Sequence, residues 1–170
     1  PESVGLMYGG MEYKIVDGEL WLKGVNMMDG YATAEDNALA YEDGYFKTGD
    51  LVRIDEDGFL YIVGRIKDVI VLSTGEKVAP AELEAKFGEV DFVKDCLVYE
   101  ENDSLVLEVY PHTYVIQSLG DEDKKAEYTK VLNDVNNTLM DFQKVSKIIL
   151  RSEDFARTPS MKIIRPKKNV

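Results

Sequence analysis

Apolar and polar residues alternate over short stretches in the first third of the chain, a pattern that predicts β-strands rather than helices. Two pairs of stretches frame short turns: Glu12–Val16 with Glu19–Lys23, and Leu51–Ile54 with Phe59–Val63. The first turn, Asp17-Gly18, suits a two-residue hairpin because glycine accepts a positive φ at little cost. The second turn covers residues 55–58 and also ends in glycine. We therefore expect two β-hairpins in this section.

A short helix is predicted between the hairpins, over Thr33–Tyr41, with Thr33 as its N-cap. Large apolar side chains are frequent on both sides of this helix, and we expect them to form the core of a small barrel or sandwich. They are Trp21, Leu22, Tyr45, Phe46, Phe59 and Tyr61.

From residue 65 onward the pattern mixes strands with helices. Pro80 and Gly88 bracket a predicted helix over Ala81–Phe87, since proline fits the first turn and glycine ends a helix. A longer helix is predicted over Asp123–Met140 from the helical spacing of Ala126, Val131, Val135 and Leu139. The predicted strands are Val69–Leu72, Val93–Tyr99, Leu105–Tyr110 and Lys147–Leu150. The expected fold class is α+β, with a small β-rich subdomain over residues 1–64 and a compact α+β domain over residues 65–170.

Charge supports the same division. Residues 1–64 carry four basic and 13 acidic side chains, and residues 65–170 carry 16 and 19. The net charge of −12 would repel polyanions, so nucleic acid and anionic membranes are not expected partners. No apolar run approaches the ~20 residues of a transmembrane segment, and we expect a cytoplasmic protein. Cys96 and His112 are the only cysteine and histidine, which excludes an internal disulfide and a Cys/His zinc site.

Four short segments carry the candidate chemistry: Tyr45–Asp50, Gly64–Asp68, Gly75–Glu84 and Thr158–Arg165. The first places Asp50 directly after a glycine turn, where the two acceptor oxygens of a carboxylate suit a vicinal diol. Taken one at a time, the residues also fit plain roles. Asp50 can be a solvated turn carboxylate, Arg65 a member of a surface ion pair, and Lys162 a solvated lysine of the C-terminal tail.

Together the four segments resemble the adenylate-forming enzymes, which include acyl-CoA synthetases, luciferases and the adenylation domains of peptide synthetases. They match the signatures Tyr-x-x-Thr-Gly-Asp, Gly-Arg-x-x-Asp, Gly-x-x-(Val/Ile)-x-Pro-x-Glu-(Leu/Ile)-Glu and Thr-x-x-Gly-Lys-(hydrophobic)-x-Arg. Met161 stands where many members have glycine, and in this respect the chain looks most like the long-chain fatty acyl-CoA synthetases. The resemblance implies the C-terminal part of such an enzyme, with residues 1–64 as the last β subdomain of the large AMP-binding domain and residues 65–170 as the mobile C-terminal domain.

The resemblance also implies a role for each matched residue. Lys162 matches the catalytic lysine that bridges the acyl carboxylate and the phosphate during adenylation. Asp50 and Arg65 match residues that bind the ribose of ATP. Gly75 matches the loop that lines the pantetheine channel for coenzyme A, and Lys67 matches the hinge of the mobile domain. The magnesium ligand, the phosphate loop and the acyl tunnel are expected in a preceding region, and no metal site is expected here.

The implied activity is that of a long-chain fatty acid–CoA ligase, which forms acyl-CoA, AMP and pyrophosphate through an acyl-adenylate. The expected partners are a fatty acid or other carboxylate, ATP and coenzyme A, and the chain alone is expected to be inactive. Two alternatives stay open: an adenylating ligase for aryl, short-chain or amino acids, and a non-catalytic β-rich binding module. The joint presence of Asp50, Arg65, Lys67 and Lys162 favours an enzyme, because a binding module has no reason to hold all four.

Overall fold

The computed structural model describes residues 3–166 and divides into two compact units, one ending at Val69 and the other beginning at Ile70. The strands are β1 (Gly5–Leu6), β2 (Met11–Val16), β3 (Glu19–Gly24), β4 (Tyr41–Glu42), β5 (Tyr45–Ile54), β6 (Phe59–Arg65), β7 (Ile70–Val71), β8 (Lys77–Val78), β9 (Val93–Glu101), β10 (Ser104–Pro111) and β11 (Val145–Leu150). The helices are α1 (Ala34–Ala40), α2 (Pro80–Phe87), α3 (Thr113–Ile116) and α4 (Glu122–Asn137), with 3₁₀ helices at Ile66–Asp68 and Asp141–Gln143. The predicted boundary after residue 64 lies shortly before this division, and the assignment of the two sections to the two domains of the resembled family stays a prediction.

The first unit contains one six-stranded antiparallel sheet with the order β1-β6-β5-β3-β2 and with β4 paired to β5. The two predicted hairpins are present, because β2 pairs with β3 and β5 pairs with β6. Asp17 (φ 51°) and Gly18 (φ 86°) both have the positive φ that a type I′ turn requires. Thr33 caps α1 as predicted, and its hydroxyl accepts from the N–H of Asp36 at 3.1 Å.

The predicted barrel or sandwich is wrong for the described part of this unit, which has a single open sheet. Its buried apolar cluster consists of Leu20, Val52 and Leu60, and α1 buries no residue against the sheet. The large side chains do not converge on one core because neighbouring residues of a strand, such as Trp21 and Leu22, point to opposite faces.

The second unit holds most of the buried core. Its three-stranded sheet has the order β11-β10-β9, with β10 antiparallel to β9 and parallel to β11. Helix α2 packs on β9 and helix α4 on β11. As predicted, α2 has Pro80 in its first turn and ends at Gly88. A separate hairpin of β7 and β8 carries the turn at Gly75. The largest fully buried core side chains include Leu83, Phe87, Leu107 and Leu132.

Helix α4 differs from its prediction in length and in the face that it buries. It ends at Asn137, earlier than expected, and Val131 is 39% exposed while Leu132 is fully buried. Asn136 is buried as well, and its side-chain amide is satisfied by hydrogen bonds to both backbone groups of Val145. A pattern of apolar residues does not reveal a buried asparagine.

Candidate functional site

Asp50 and Arg65 are brought together by the paired strands β5 and β6, in which they are register partners. Arg65 Nε donates to Asp50 Oδ1 at 2.7 Å, and Arg65 Nη1 donates to the carbonyl oxygen of Thr48 at 3.4 Å. The Asp50 side chain is 20% exposed and the Arg65 side chain 51%. An acceptor and a cation therefore lie side by side at the surface, which suits a ligand that carries both hydroxyl groups and negative charge.

Strand β3 holds the turn that presents Asp50. Gly49 has a φ of 71°, which favours glycine, and its N–H donates to Glu19 Oε1 at 2.8 Å. The hydroxyl of Thr48 donates to the carbonyl oxygen of Leu20 at 2.7 Å and accepts from the N–H of Asp50 at 3.1 Å. The Thr and Gly of this motif therefore fix the direction in which the carboxylate points.

Lys67 lies in the 3₁₀ helix that follows β6, and it is exposed. The division between the two compact units comes shortly after it, at Val69. A solvated position beside such a division suits a pivot, because its backbone can rotate without disturbing a core. Its role as a hinge stays a prediction.

Gly75 lies in the turn between β7 and β8 with a φ of 90°, and among the described residues no atom beyond its two chain neighbours comes within 4 Å of where a Cβ would stand. The preceding Ser73 ties this turn to the β9–β10 turn. Its N–H donates to Asp103 Oδ1 at 2.8 Å, and its hydroxyl donates to Asp103 Oδ2. These hydrogen bonds hold the pKa of Asp103 below its ordinary value, so the acceptor carboxylate is ionised at neutral pH.

Lys162 lies in a tight turn that the sequence pattern does not reveal. Arg157 and Ile163 form an antiparallel bridge across it, and the N–H of Thr158 donates to the carbonyl oxygen of Lys162 at 2.9 Å. Met161 has a φ of 65°, a conformation that disfavours residues with a Cβ and favours glycine. The Lys162 side chain is exposed, and it forms no ion pair within the described residues. It is a cation available to an incoming anion.

The Gly75 and Lys162 turns lie toward opposite ends of β9. The first is tied to Asp103, which follows β9. The second is tied to Asp95 near the start of β9, because Arg157 Nη2 donates to Asp95 Oδ2 at 2.8 Å. The strand between these points spans roughly 20 Å at ~3.3 Å per residue. The second unit therefore has two separate candidate contact regions.

Glu19 and Asp103 each hold a candidate turn, and sequence analysis did not select either. Each lies 30 residues from the backbone N–H that it accepts, so no local spacing marks it. Among residues 3–166, no group of three or more His, Cys, Asp or Glu side chains is arranged to hold a metal ion. Across the same stretch, no helix is both long and apolar enough to cross a membrane.

The described residues thus combine an antiparallel sheet that carries the Thr-Gly-Asp turn with an α+β unit that carries an exposed lysine turn. Residues 67–169 match the family described as the AMP-binding enzyme C-terminal domain, and the chain belongs to this family.

Similar curated proteins carry the names of CoA ligases. The chain is 32% identical to 4-coumarate–CoA ligase-like 3 of Oryza sativa subsp. japonica, over 96% of this chain and 29% of that protein. It is 33% identical to peroxisomal OPC-8:0-CoA ligase 1 of Arabidopsis thaliana, over 96% and 31%. It is 35% identical to 2-succinylbenzoate–CoA ligase of Listeria innocua, over 92% and 32%. The chain thus spans about a third of the length of these relatives.

Solved structures show the same fold. The adenylation domain of a carboxylate reductase from Mycobacterium chelonae matches with a TM-score of 0.80 at 25% identity, over 95% of this chain and 30% of that one. The O-succinylbenzoate coenzyme A synthetase of Bacillus subtilis, solved with ATP and a magnesium ion, matches with a TM-score of 0.72 at 25% identity, over 95% and 34%. The predicted α+β fold is confirmed, and the resemblance to adenylate-forming enzymes is confirmed at the level of the family. None of these relatives carries the name of a long-chain fatty acyl-CoA synthetase.

Proposed function

We propose that this chain is the C-terminal section of an ATP-dependent carboxylate–CoA ligase. In the first half-reaction, a carboxylate oxygen attacks the α-phosphorus of ATP, which gives an acyl-adenylate and releases pyrophosphate. In the second, the thiol of coenzyme A loses its proton, attacks the acyl carbonyl and releases AMP. The family match over residues 67–169 and the ligase names of the relatives support this proposal.

The observation that carries the proposal is the exposed Lys162 turn. In the first half-reaction a carboxylate approaches a triphosphate, and the two anions repel each other. A cation at this point stabilises the charge that both reactants bring together. Lys162 suits this task because no Asp or Glu side chain among residues 3–166 forms an ion pair with it.

The other matched residues are proposed to hold the nucleotide and coenzyme A. Asp50 accepts hydrogen bonds from the ribose hydroxyl groups. Arg65 holds the Asp50 carboxylate in place, and its own positive charge faces the phosphate. Gly75 gives the pantetheine arm close access to the backbone. Because the points where the Gly75 and Lys162 turns are tied to the sheet lie at different ends of β9, each turn would act in its own half-reaction, and Lys67 would be the pivot between them. The resemblance implies a magnesium ligand for ATP in the section of the relatives that this chain does not span.

The acid is proposed only as a carboxylate that forms a CoA thioester. The names of the relatives support aryl and other carboxylic acids, since they include coumarate, OPC-8:0 and succinylbenzoate. The substrate test therefore uses a panel of carboxylic acids, which includes long-chain fatty acids and amino acids. A cytoplasmic location stays part of the proposal, and one relative is named as peroxisomal.

The test is the Lys162→Ala variant of the full-length enzyme that carries this chain. We expect its adenylation rate, measured as ATP–pyrophosphate exchange with the best acid of the panel, to fall by about 10²–10³-fold. Thioester formation from pre-made acyl-adenylate should fall much less, because the lysine acts where carboxylate and phosphate meet. Lys130→Ala removes another exposed lysine, on α4, and should change neither rate.

Two results would contradict the proposal. Equal losses in both half-reactions would show that Lys162 is not specific to adenylation. A wild-type enzyme that forms no adenylate with any acid of the panel would favour the non-catalytic binding module.

A further inference from the structure

The segment that carries Lys162 has almost no apolar anchor. Of the residues from 156 to 166, none is buried, and Met161 and Ile164 are 69% and 53% exposed. The last buried side chain before the turn is Phe155, at 7% exposure. Packing alone therefore does not fix the position of the lysine, and polar contacts must do so.

Arg165 makes the strongest of these contacts. Its Nη1 and Nη2 donate to the two carboxylate oxygens of Glu84, on helix α2, at 2.8 and 2.7 Å. Such a two-point pair fixes direction as well as distance, which a single ammonium group does not. The Glu84 side chain is only 16% exposed and the Arg165 side chain 31%, so solvent screens the pair less than it screens the surface pairs.

Strand β9 completes the arrangement. Glu84 Oε1 also accepts from the N–H of Val98 at 2.8 Å, and Arg165 Nη1 donates to the Val98 carbonyl oxygen at 3.3 Å. The carboxylate is thus held by the sheet as well as by the arginine. A helix, a strand and the C-terminal segment meet in one hydrogen-bonded group.

The other end of the turn is also held by an arginine. Arg157 Nη2 donates to Asp95 on β9 at 2.8 Å and to Asp154 at 3.0 Å. Lys162 therefore lies between two arginine anchors, and Arg165 comes only three positions after it, a reach of at most ~10 Å. Loss of either anchor would leave the lysine on a segment without a buried side chain.

We propose that Glu84 and Arg165 are positioning residues that hold Lys162 in place for adenylation. Neither needs to touch a substrate, since both act through the backbone of the segment. This inference rests on the proposed function of Lys162.

The experiment compares Glu84→Gln and Arg165→Lys in the full-length enzyme. Glutamine keeps an acceptor for the Val98 N–H but loses the charge, and lysine keeps the charge but loses the two-point geometry. We expect each variant to lower the kcat of adenylation by roughly 10-fold or more. A misplaced catalytic group can lower a rate by ~10²-fold. The KM for ATP and the rate of thioester formation from pre-made acyl-adenylate should change little. The double variant should lose little more than either single one, because the two residues act as a unit.

Lys147→Ala serves as the matched control. It removes an exposed ion pair of the same unit, Lys147 Nζ to Glu101 at 3.4 Å, and should leave both half-reactions unchanged. Thermal melts establish that each variant is folded.

The outcomes separate this inference from the proposed function. If Lys162→Ala loses adenylation while folded Glu84→Gln and Arg165→Lys adenylate at the wild-type rate, the positioning role is wrong and the function of Lys162 stands. Equal losses in both half-reactions would also overturn the positioning role, because the pair would then support the whole unit. If Lys162→Ala itself adenylates normally, both ideas fail.

Discussion

Asn136 offers a test of how the second unit holds its last strand. It is 8% exposed, and its amide donates to the carbonyl oxygen of Val145 at 2.9 Å and accepts from the N–H of Val145 at 2.8 Å. The side chain thus pairs with the first residue of β11 as a neighbouring strand would. Val145 is itself 6% exposed, so water does not readily replace these bonds.

Asn136→Ala should lower the free energy of unfolding of this unit by about 2–4 kcal/mol. Each lost hydrogen bond is worth about 1 kcal/mol, and each buried group left unpaired adds about the same or more. The higher helix propensity of alanine returns only about 0.5 kcal/mol. With a urea slope of ~2 kcal/mol/M, the midpoint of the helix signal should fall by about 1–2 M.

The assay is urea unfolding of the purified protein followed by far-ultraviolet circular dichroism. Asn133→Ala is the control, because it makes the same exchange at an exposed position of α4 and should stay within about 0.5 kcal/mol of the wild type. Trp21, the single tryptophan, lies in the first unit and reports on it separately. If the midpoints of Asn136→Ala and Asn133→Ala coincide, the amide is not the link that holds β11.

Asn136→Asp adds a dependence on pH. The carboxylate loses the N–H donor and faces the carbonyl oxygen of Val145, so its pKa in the folded state should be raised. The protonated form can donate again, so the variant should be closest to the wild type at low pH and lose stability as the pH rises through the raised pKa. If the loss of unfolding free energy relative to the wild type does not change with pH, the amide donor is not essential.

The remaining predictions concern the candidate site. Cys96 should resist alkylation at pH 8 in the folded protein and react once unfolded, because burial raises its thiol pKa to about 12. Asp103→Ala should release the Ser73 turn and raise the KM for coenzyme A in the second half-reaction, with adenylation unchanged. The hydrogen bonds between Ser73 and Asp103 should weaken in strong acid. Because the pKa of Asp103 is lowered, its carboxylate stays ionised until the pH falls below the ordinary Asp range. Lys67→Pro should let acyl-adenylate accumulate while thioester formation falls, because proline restricts the backbone of the pivot. Lys67→Ala should change both rates only slightly. The 170-residue chain alone should show no ATP–pyrophosphate exchange above that of its Lys162→Ala variant.

Each of these has a result that would contradict it. Rapid labelling of folded Cys96 would mean that its thiol is exposed or activated. An unchanged KM for coenzyme A in Asp103→Ala would separate the Gly75 turn from coenzyme A. Normal thioester formation by a folded Lys67→Pro enzyme would place the pivot elsewhere. Pyrophosphate exchange by the chain alone would show that it holds a complete adenylation site.

The sequence by itself determined the local elements and the family. The Asp17-Gly18 turn and the start of α2 at Pro80 depend on φ preferences and on hydrogen bonds within a few residues. The capping of α1 by Thr33 is equally local. The four motifs pointed to adenylate-forming enzymes because their order along the chain is specific, and the family match over residues 67–169 confirms this level.

Only the tertiary structure decided which distant residues meet. The sheet of the first unit stays single and open, because strand pairing sends its large side chains to two faces. Asn136 of α4 is buried although it is polar, because Val145 supplies a partner for each end of its amide. Glu84 and Arg165 lie 81 residues apart and meet only because α2, β9 and the C-terminal segment pack together. The sequence contains no local spacing pattern that predicts such contacts. Residues far apart in the sequence meet because the chain between them folds back, and not because of the residues next to them.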